Sequence, residues 1–483
     1  MTGVPDTASR TRSSPTLTLV ILALGALAYT MAQTMIVPAL PRIQQELGVS
    51  TSNVTWLLTL NLLAAAIATP ITGRLGDMFG KERLLLISLG VFALGSLIPI
   101  LGHSFALYLL GRLIQGSGGA ILPLAIGIIR DEFPRERVAT GIGTISAMYG
   151  IGGGIALVIS GVLVDKLGVD SIFVLSLLLS FIAAIATWRF VPESPVRVRA
   201  AIDYVGATLM ATGLAGVLLA ISEGNHWGWT SSGVLGLFAA GAIVLVLFGL
   251  WELRIPEPLI DMRLMRRRAM WTVNVAAFSV GLAIFGSFVL VPQLVQTPSS
   301  VGYGFGASVT LAGLYLLPSA LLMFLAGPLS GRMSTRGGSR LPLALGAAFG
   351  VISCVMLAVL HDHPWQILVG NAILGMGLGL SLAAMANLVI DAVPQEQTGM
   401  AMSVNLIARS AGGAIGGQIA AAILTGSMNA DGLPSIGGYE GAFLLSAAGA
   451  ATALVVTAFM PRGRSSAAQA RMEDDAARAE APA

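Results

Sequence analysis

Three features of the sequence predict an all-α polytopic membrane protein with fourteen transmembrane helices. They are an apolar excess too large for a water-facing surface, uninterrupted apolar runs of about 20 residues recurring along the chain, and basic residues confined to alternate loops. The 483 residues are 55% hydrophobic and 11% charged, with 59 glycines and a mean hydropathy of +0.83. Lipid must therefore serve as solvent for most of the surface. The runs are continuous rather than alternating, which favours helices over barrel strands, because a helix satisfies its own backbone hydrogen bonds in lipid.

The predicted spans are 16–38, 54–73, 84–102, 105–129, 139–164, 171–190, 204–221, 233–252, 270–292, 308–330, 341–360, 366–391, 399–425 and 440–460. Of the 27 basic residues, only Arg42 and Lys166 fall in the odd-numbered loops, and Arg112 and Arg409 fall inside spans; the rest lie in the tails and even-numbered loops. The positive-inside rule then places both termini in the cytoplasm, in the inner (plasma) membrane of a bacterium. All seven tryptophans sit at or near span ends, where an amphipathic ring prefers the headgroup region. The polar start followed by a long apolar run lacks a small-residue cleavage site and is expected to be a retained first helix.

A net charge of +3 and a pI near 9.2 are accounted for by cytoplasmic loops facing anionic lipid, so no nucleic-acid partner is expected. The single cysteine, Cys354, excludes an intramolecular disulfide and is expected to be a small packing residue.

Internal repetition organises the spans. Pro70, Gly73, Arg74 and Gly80 match Pro328, Gly331, Arg332 and Gly338 at a constant offset of 258. Gly111, Gly116 and Gly118 match Gly370, Gly375 and Gly377 at 259, and Pro134 matches Pro394 at 260. Spans 1–6 therefore repeat as spans 9–14, and spans 7 and 8 are an insert between charged, proline-bearing segments. The expected organisation is an N-terminal six-helix half over 1–190, a linker with the inserted helices over 191–268, a C-terminal six-helix half over 269–460 and a cytoplasmic tail over 461–483.

From Gly73 the chain reads GRLGDMFGKERLLL, directly after span 2. Gly73 and Gly80 permit close helix approach and a tight turn. Asp77 is suited to accept hydrogen bonds from a neighbouring helix N-terminus, and Lys81 and Arg83 supply cations. This segment resembles the cytoplasmic loop signature of the major facilitator superfamily, so Gly73, Arg74, Asp77, Gly80, Lys81 and Arg83 are expected to form a gating network that breaks when the cytoplasmic side opens. RLIQGSGGA from Arg112 resembles the superfamily's second signature, an intramembrane arginine followed by glycines. An arginine at a helix centre costs about 2.5–3.5 kcal/mol on insertion scales, so it needs a partner, water or a snorkelling path.

The fourteen-span arrangement, with SEGNHWGW after span 7 and LWELRIPEPLIDMRL after span 8, resembles the drug–proton antiporter family of that superfamily over nearly the whole chain. The resemblance implies proton-coupled export of hydrophobic or amphiphilic compounds by alternating access. Two departures bear on coupling. MAQTMIVPALPRI places Ala32 where that family commonly carries an aspartate, and GGGIALVISG from Gly152 places Ala156 and Leu157 at its glycine–proline pair and Ser160 at the next glycine. No Asp or Glu falls near the middle of a predicted span, whereas Arg409 does, so the cavity is expected to be neutral to electropositive. Glu223, beside His226 in the outer loop, is the proton-coupling candidate.

Gln33, Asn61, Asn274, Asn371 and Asn387 are candidates for the substrate path, with Phe278 and Phe285 as an apolar wall; helix-to-helix hydrogen bonding is the competing use of such polar residues. His361 and His363 flank Asp362 in an outer loop that is expected to be a solvated turn rather than a metal site. No catalytic, metal-binding or cofactor-binding constellation is found, so the chain is expected to be a transporter and not an enzyme. Its expected partners are a small-molecule substrate, protons and the lipid bilayer, and it is expected to be a monomer. The competing functions are an importer or uncoupled facilitator of a small neutral or anionic solute and, more remotely, a transporter-derived membrane sensor.

Overall fold

Helix lengths in this chain are set by the apolar runs and by short polar residues at their ends. The computed structural model describes residues 14–49, 51–193, 203–256, 258–429 and 433–461; most of the polar start and the tail beyond Pro461 lie outside the described residues. The helices are α1 (Pro15–Leu47), α2 (Thr51–Phe79), α3 (Lys81–Leu97), α4 (Phe105–Gly116), α5 (Ile121–Glu132), α6 (Arg135–Leu167), α7 (Asp170–Phe190), α8 (Tyr204–Trp227) and α9 (Ser232–Glu252). They continue with the short α10 (Met262–Met265), then α11 (Arg268–Gln296), α12 (Val309–Gly337), α13 (Arg340–Val359), α14 (Pro364–Ala392), α15 (Thr398–Gly426) and α16 (Ile436–Phe459). Ser14, Ser104, Ser231, Ser308 and Ser435 cap α1, α4, α9, α12 and α16, each hydroxyl accepting a backbone N–H of the first turn, and the Asp203 carboxylate caps α8.

Thirteen membrane spans are long and apolar enough over their described residues, and the 29-residue α11 is the fourteenth. The fourth span is α4 and α5 joined by a 3-10 turn over Ser117–Ala120, so the continuous helix expected at 105–129 is interrupted at its glycine cluster. Helix ends also run past the apolar runs. α1 continues to Leu47, where Gly48 (φ 62°) stops it, and α2 continues through the charged GRLGDMF segment to Phe79. What the sequence suggested was a loop is largely a last pair of helical turns, broken only at Gly80, whose φ of 112° disfavours any side chain.

An even number of crossings leaves Ser14 and Pro461 on one membrane face, called here the termini face; the other is the far face. The packing repeats about the same offset as the sequence. α1 packs on α6 and α7, α2 on α4, and α3 on α4 and α7; α11 packs on α15 and α16, α12 on α14, and α13 on α14 and α16. Two six-helix bundles result, meeting along two seams, α2 against α15 and α6 against α12.

The inserted α8 and α9 pack chiefly on each other. Gly213, Gly216 and Gly241 bring their backbones together, a Cβ on Gly241 falling 2.8 Å from the Val217 nitrogen. α8 also touches α2 and α15, whereas α9 turns Ile243 and Val246, about 60% exposed, toward lipid.

Candidate functional site

The charged residues near the ends of α2 and α5 converge on the start of α15 at the termini face. Asp77 Oδ1 accepts the Gly399 N–H at 3.3 Å and Oδ2 accepts the Met400 N–H at 3.2 Å. A carboxylate at a helix N-terminus meets both unsatisfied N–H groups and the positive end of the helix dipole. Lys81 Nζ lies 3.5 Å from Asp77 Oδ1 and 2.7 Å from Asp131 Oδ2, with all three side chains buried. Asp131 Oδ1 in turn accepts Gln395 Nε2 at 3.0 Å. Arg130 donates to the carbonyls of Val393 (2.8 Å) and Pro394 (3.2 Å) and to the Thr398 hydroxyl. Arg83 pairs with Glu193 at 3.1 Å, and Arg74 is buried beside this network.

Asp77, Lys81, Arg130 and Asp131 belong to the first bundle, and residues 393–400 to the second, so this network ties the bundles together. Of its members, Arg130, Asp131, Glu193 and Gln395 were not singled out from the sequence. A basic residue at a helix end looks like any topology-setting charge until its partner is known.

Backbone contacts close both seams at the same face. On the α2/α15 seam a Cβ at Gly73 would fall 2.8 Å from the Gly399 carbonyl, and Ser403 Oγ donates either to the Thr69 carbonyl (3.1 Å) or to that of Gly399 (2.7 Å). On the α6/α12 seam the equivalent positions are Gly331 against the Ala139 carbonyl, at 2.5 Å from a built Cβ, and Gly143 against Gly327, where a Cβ on either would overlap the other's carbonyl. The bundles are thus closed at the termini face.

Arg112 is fully buried and turned inward, so it does not snorkel. Its Nε donates to the Leu57 carbonyl (3.0 Å), and its NH1 group to the Ala32 carbonyl (3.3 Å) and Gln115 Oε1 (2.8 Å). Gln115 donates on to Ser96 Oγ at 2.8 Å, and Asn61 Nδ2 donates to the Arg112 carbonyl at 3.0 Å. This one guanidinium joins α1, α2 and α4. In the second bundle the equivalent residue is Asn371, whose Nδ2 donates at 3.1 Å to the Tyr315 carbonyl, the counterpart of Leu57 at offset 258.

Arg112→Ala is therefore expected to leave two carbonyls and the Gln115 amide without their donor. Each unsatisfied group costs about 1–3 kcal/mol, and the melting temperature in detergent should fall sharply. Asn371→Ala, which removes one neutral bond worth about 1 kcal/mol, should lower it far less. Equal melting temperatures for the two variants would contradict this.

Toward the far face from the closed seams lies a cavity of about 280 Å³ between α1, α2, α8 and α15. Leu62, Leu63 and Ala66 of α2, Leu214, Val217, Leu218 and Ile221 of α8, and Leu406, Ile407 and Ala414 of α15 make it apolar. Tyr29, Gln33, Thr59, Thr69 and Ser410 are its polar points, and among the described residues no Asp, Glu, Lys, Arg or His lines it. Gln33 Nε2 donates to the Tyr29 hydroxyl at 3.1 Å. An apolar chamber with a few placed polar groups is the general form of a small-molecule site.

Among the residues singled out for the substrate path, Gln33 lines this cavity. Asn61 and Asn371 hold neighbouring helices through the bonds given above, and Asn274 accepts from Asn405 Nδ2 at 3.1 Å. Asn387 is buried in α14 and Phe278 is half-buried on α11, where its carbonyl meets Gly412 of α15. Arg409 is half-buried on α15, with its backbone carbonyl against Gly281 of α11. Glu223 is buried near the far end of α8, away from the cavity lining. The side chains of Phe285, Leu157 and His226 lie outside the described residues. The backbone carbonyl of Ala32 accepts from Arg112, and Ser160 Oγ donates to the Met35 carbonyl at 2.5 Å, so α6 packs on α1 there through a hydroxyl.

Two helical bundles enclosing an apolar chamber and closed against each other at one membrane face define a multi-pass membrane transporter. The chain belongs to the Major Facilitator Superfamily, whose family model matches residues 22–417 and, in a second match, 273–482. It is 28% identical over 417 residues to the Multidrug resistance protein Stp of Mycobacterium tuberculosis, covering 86% of this chain and 76% of that one. It is 27% identical over 424 residues to the Tetracenomycin C resistance and export protein of Streptomyces glaucescens, covering 86% and 77%. The solved structure of the human organic anion transporter MFSD10 (TETRAN) matches with a TM-score of 0.68 at 16% identity, over 93% of this chain and all of that one, and so shares the fold.

Proposed function

We propose that this transporter is a secondary active exporter of hydrophobic or amphiphilic drug-like compounds, coupled to protons, acting as a monomer in the bacterial plasma membrane with its termini face cytoplasmic. The observation that carries the reading is the uncharged, mostly apolar cavity lying beyond a closure that both bundles build. Such a chamber offers lipophilic solutes desolvated contact area but no counter-ion. The multidrug and antibiotic resistance names of its relatives agree with that chemistry. Alternating access would move residues 1–190 against 269–460, with 191–268 carrying the inserted pair. The Asp77, Lys81, Arg130 and Asp131 network would release when the cytoplasmic side opens.

One observation favours a second reading, an importer or uncoupled facilitator of a small neutral or anionic solute. Ala32 replaces the aspartate common in the antiporter family, and among the described residues no carboxylate lines the cavity. Purified protein in proteoliposomes containing a pH-sensitive dye distinguishes the two. Proton movement on addition of a transported compound is expected for the antiporter. Solute flux indifferent to a pH gradient would sink the coupled reading and favour facilitation.

A further inference from the structure

The two seams between the bundles are related by the internal repeat, yet they differ at one level of the membrane. On the α6/α12 seam, Gly154 and Ala320 are in contact, a Cβ on Gly154 falling 2.5 Å from that of Ala320. Their counterparts on the α15/α2 seam, at the offsets of 260 and 258, are Ala414 and Leu62, and both line the cavity. One seam is zipped at that level and the other is parted. The parted seam is the one that α8 touches on both sides, and Leu214, Val217, Leu218 and Ile221 recur at the spacing of a single helix face turned to the gap. Behind α8, the Gly213, Gly216 and Gly241 seam holds α9, whose outer face meets lipid.

We infer that α8 is the lipid-side wall of the solute cavity and that Leu214, Val217, Leu218 and Ile221 set the size of solute the transporter accepts. The inference rests on the reading of this cavity as the solute site. Without α8 the parted seam would open to the bilayer between Leu62 and Ala414, and a lipid acyl chain would compete for the same apolar surface. With α8 in place the cavity is bounded by four helices, and its volume depends on side chains from the inserted pair as much as on the bundles. The insert therefore enters solute selection directly.

The test uses the full chain in lipid nanodiscs and proteoliposomes, with Cys354, the only cysteine, replaced by alanine. A bimane fluorophore is placed on Leu218→Cys or, as a lipid-facing control, on Val246→Cys, and doxyl-labelled phosphatidylcholine is the quencher. Strong quenching at position 246 and weak quenching at 218 is expected; equal quenching overturns the wall assignment. Transport is then followed for two neutral dyes, 7-ethoxycoumarin and the bulkier Nile red. Leu218→Trp, at a cavity-lining position, is expected to lower Nile red flux relative to 7-ethoxycoumarin by about tenfold or more, the scale on which apolar pockets discriminate size. Val217→Ala with Leu218→Ala is expected to shift the ratio toward Nile red. An unchanged ratio in both variants overturns the selectivity claim. If the parent protein moves neither dye, the reading of this cavity as a site for lipophilic solutes falls and the size-selection claim falls with it, and the quenching result alone decides whether α8 walls the cavity.

Discussion

Replacing Gly143 with leucine is expected to reduce transport by about one to two orders of magnitude while leaving each bundle folded. At Gly143 the backbone of α6 lies against that of α12, and a Cβ would overlap the Gly327 carbonyl. No rotamer relieves an overlap between a Cβ and a neighbouring main chain, so the two helices must separate. Overpacking of this kind costs roughly 1–3 kcal/mol, and each 1.4 kcal/mol is about tenfold in an equilibrium. The cost falls on the state closed at the termini face, because the three atoms nearest that Cβ all belong to Gly327 and Pro328 of α12. Spin labels on Arg137→Cys of α6 and Thr335→Cys of α12 should show a short-distance population in the parent that the leucine variant loses. Gly143→Ala should fall between the two. Parent-like flux in the leucine variant would show that this seam need not close as tightly as the structure has it.

The fold was legible because lipid imposes a simple grammar on sequence. A run of about 20 apolar residues becomes a span, and matched glycines reveal the repeat because each pair makes equivalent contacts, Gly73 and Gly331 across the two seams between the bundles and Gly116 and Gly375 each within its own bundle. A Cβ on Gly116 would meet the Asn61 carbonyl, and one on Gly375 the Ser319 carbonyl, at equivalent points. The tertiary uses of polar residues were less legible. Arg112 announces a need for partners but not that they would be carbonyls of α1 and α2, and Asn61 reads equally well as a pore residue or a helix clamp.

The role of α8 was invisible in the sequence for a physical reason. Leu214, Val217, Leu218 and Ile221 suit a lipid-facing surface and an apolar cavity equally, so composition cannot tell the two apart. The same holds for Gly143 and Gly154, two glycines among 59, whose close contacts are with Gly327 and Ala320, 184 and 166 residues further along the chain. Arg130 illustrates a third obscurity, since the charge bias that fixes topology hides the basic residue that bridges the bundles.

Asp77→Ala is expected to weaken closure at the same face on the other seam. The carboxylate accepts two N–H groups of α15 and lies within ion-pair distance of Lys81. Hydrogen bonds to a charged group are worth about 1.5–3 kcal/mol each. Because Lys81 retains Asp131 and water can reach the freed N–H groups once the seam loosens, a net loss of about 2 kcal/mol is expected, roughly thirtyfold in the closed population. Ser403→Cys, buried against Thr69 in the parent, should then react faster with a membrane-impermeant thiol reagent supplied from the termini face. Asp77→Asn should be intermediate, since an amide keeps one acceptor but turns an N–H toward the other donor. The repeat supplies its own control. Thr335 stands at the position equivalent to Asp77 on the α6/α12 seam, and its hydroxyl donates to the Arg332 carbonyl within its own helix rather than across the seam. Thr335→Ala should therefore change reactivity at Ser403→Cys by less than about twofold, in keeping with a half-buried substitution that removes no contact across the seam and is worth under about 0.5 kcal/mol. If alanine at 77 and alanine at 335 behaved alike, the charge placed at the start of α15 would not be what holds the two bundles shut.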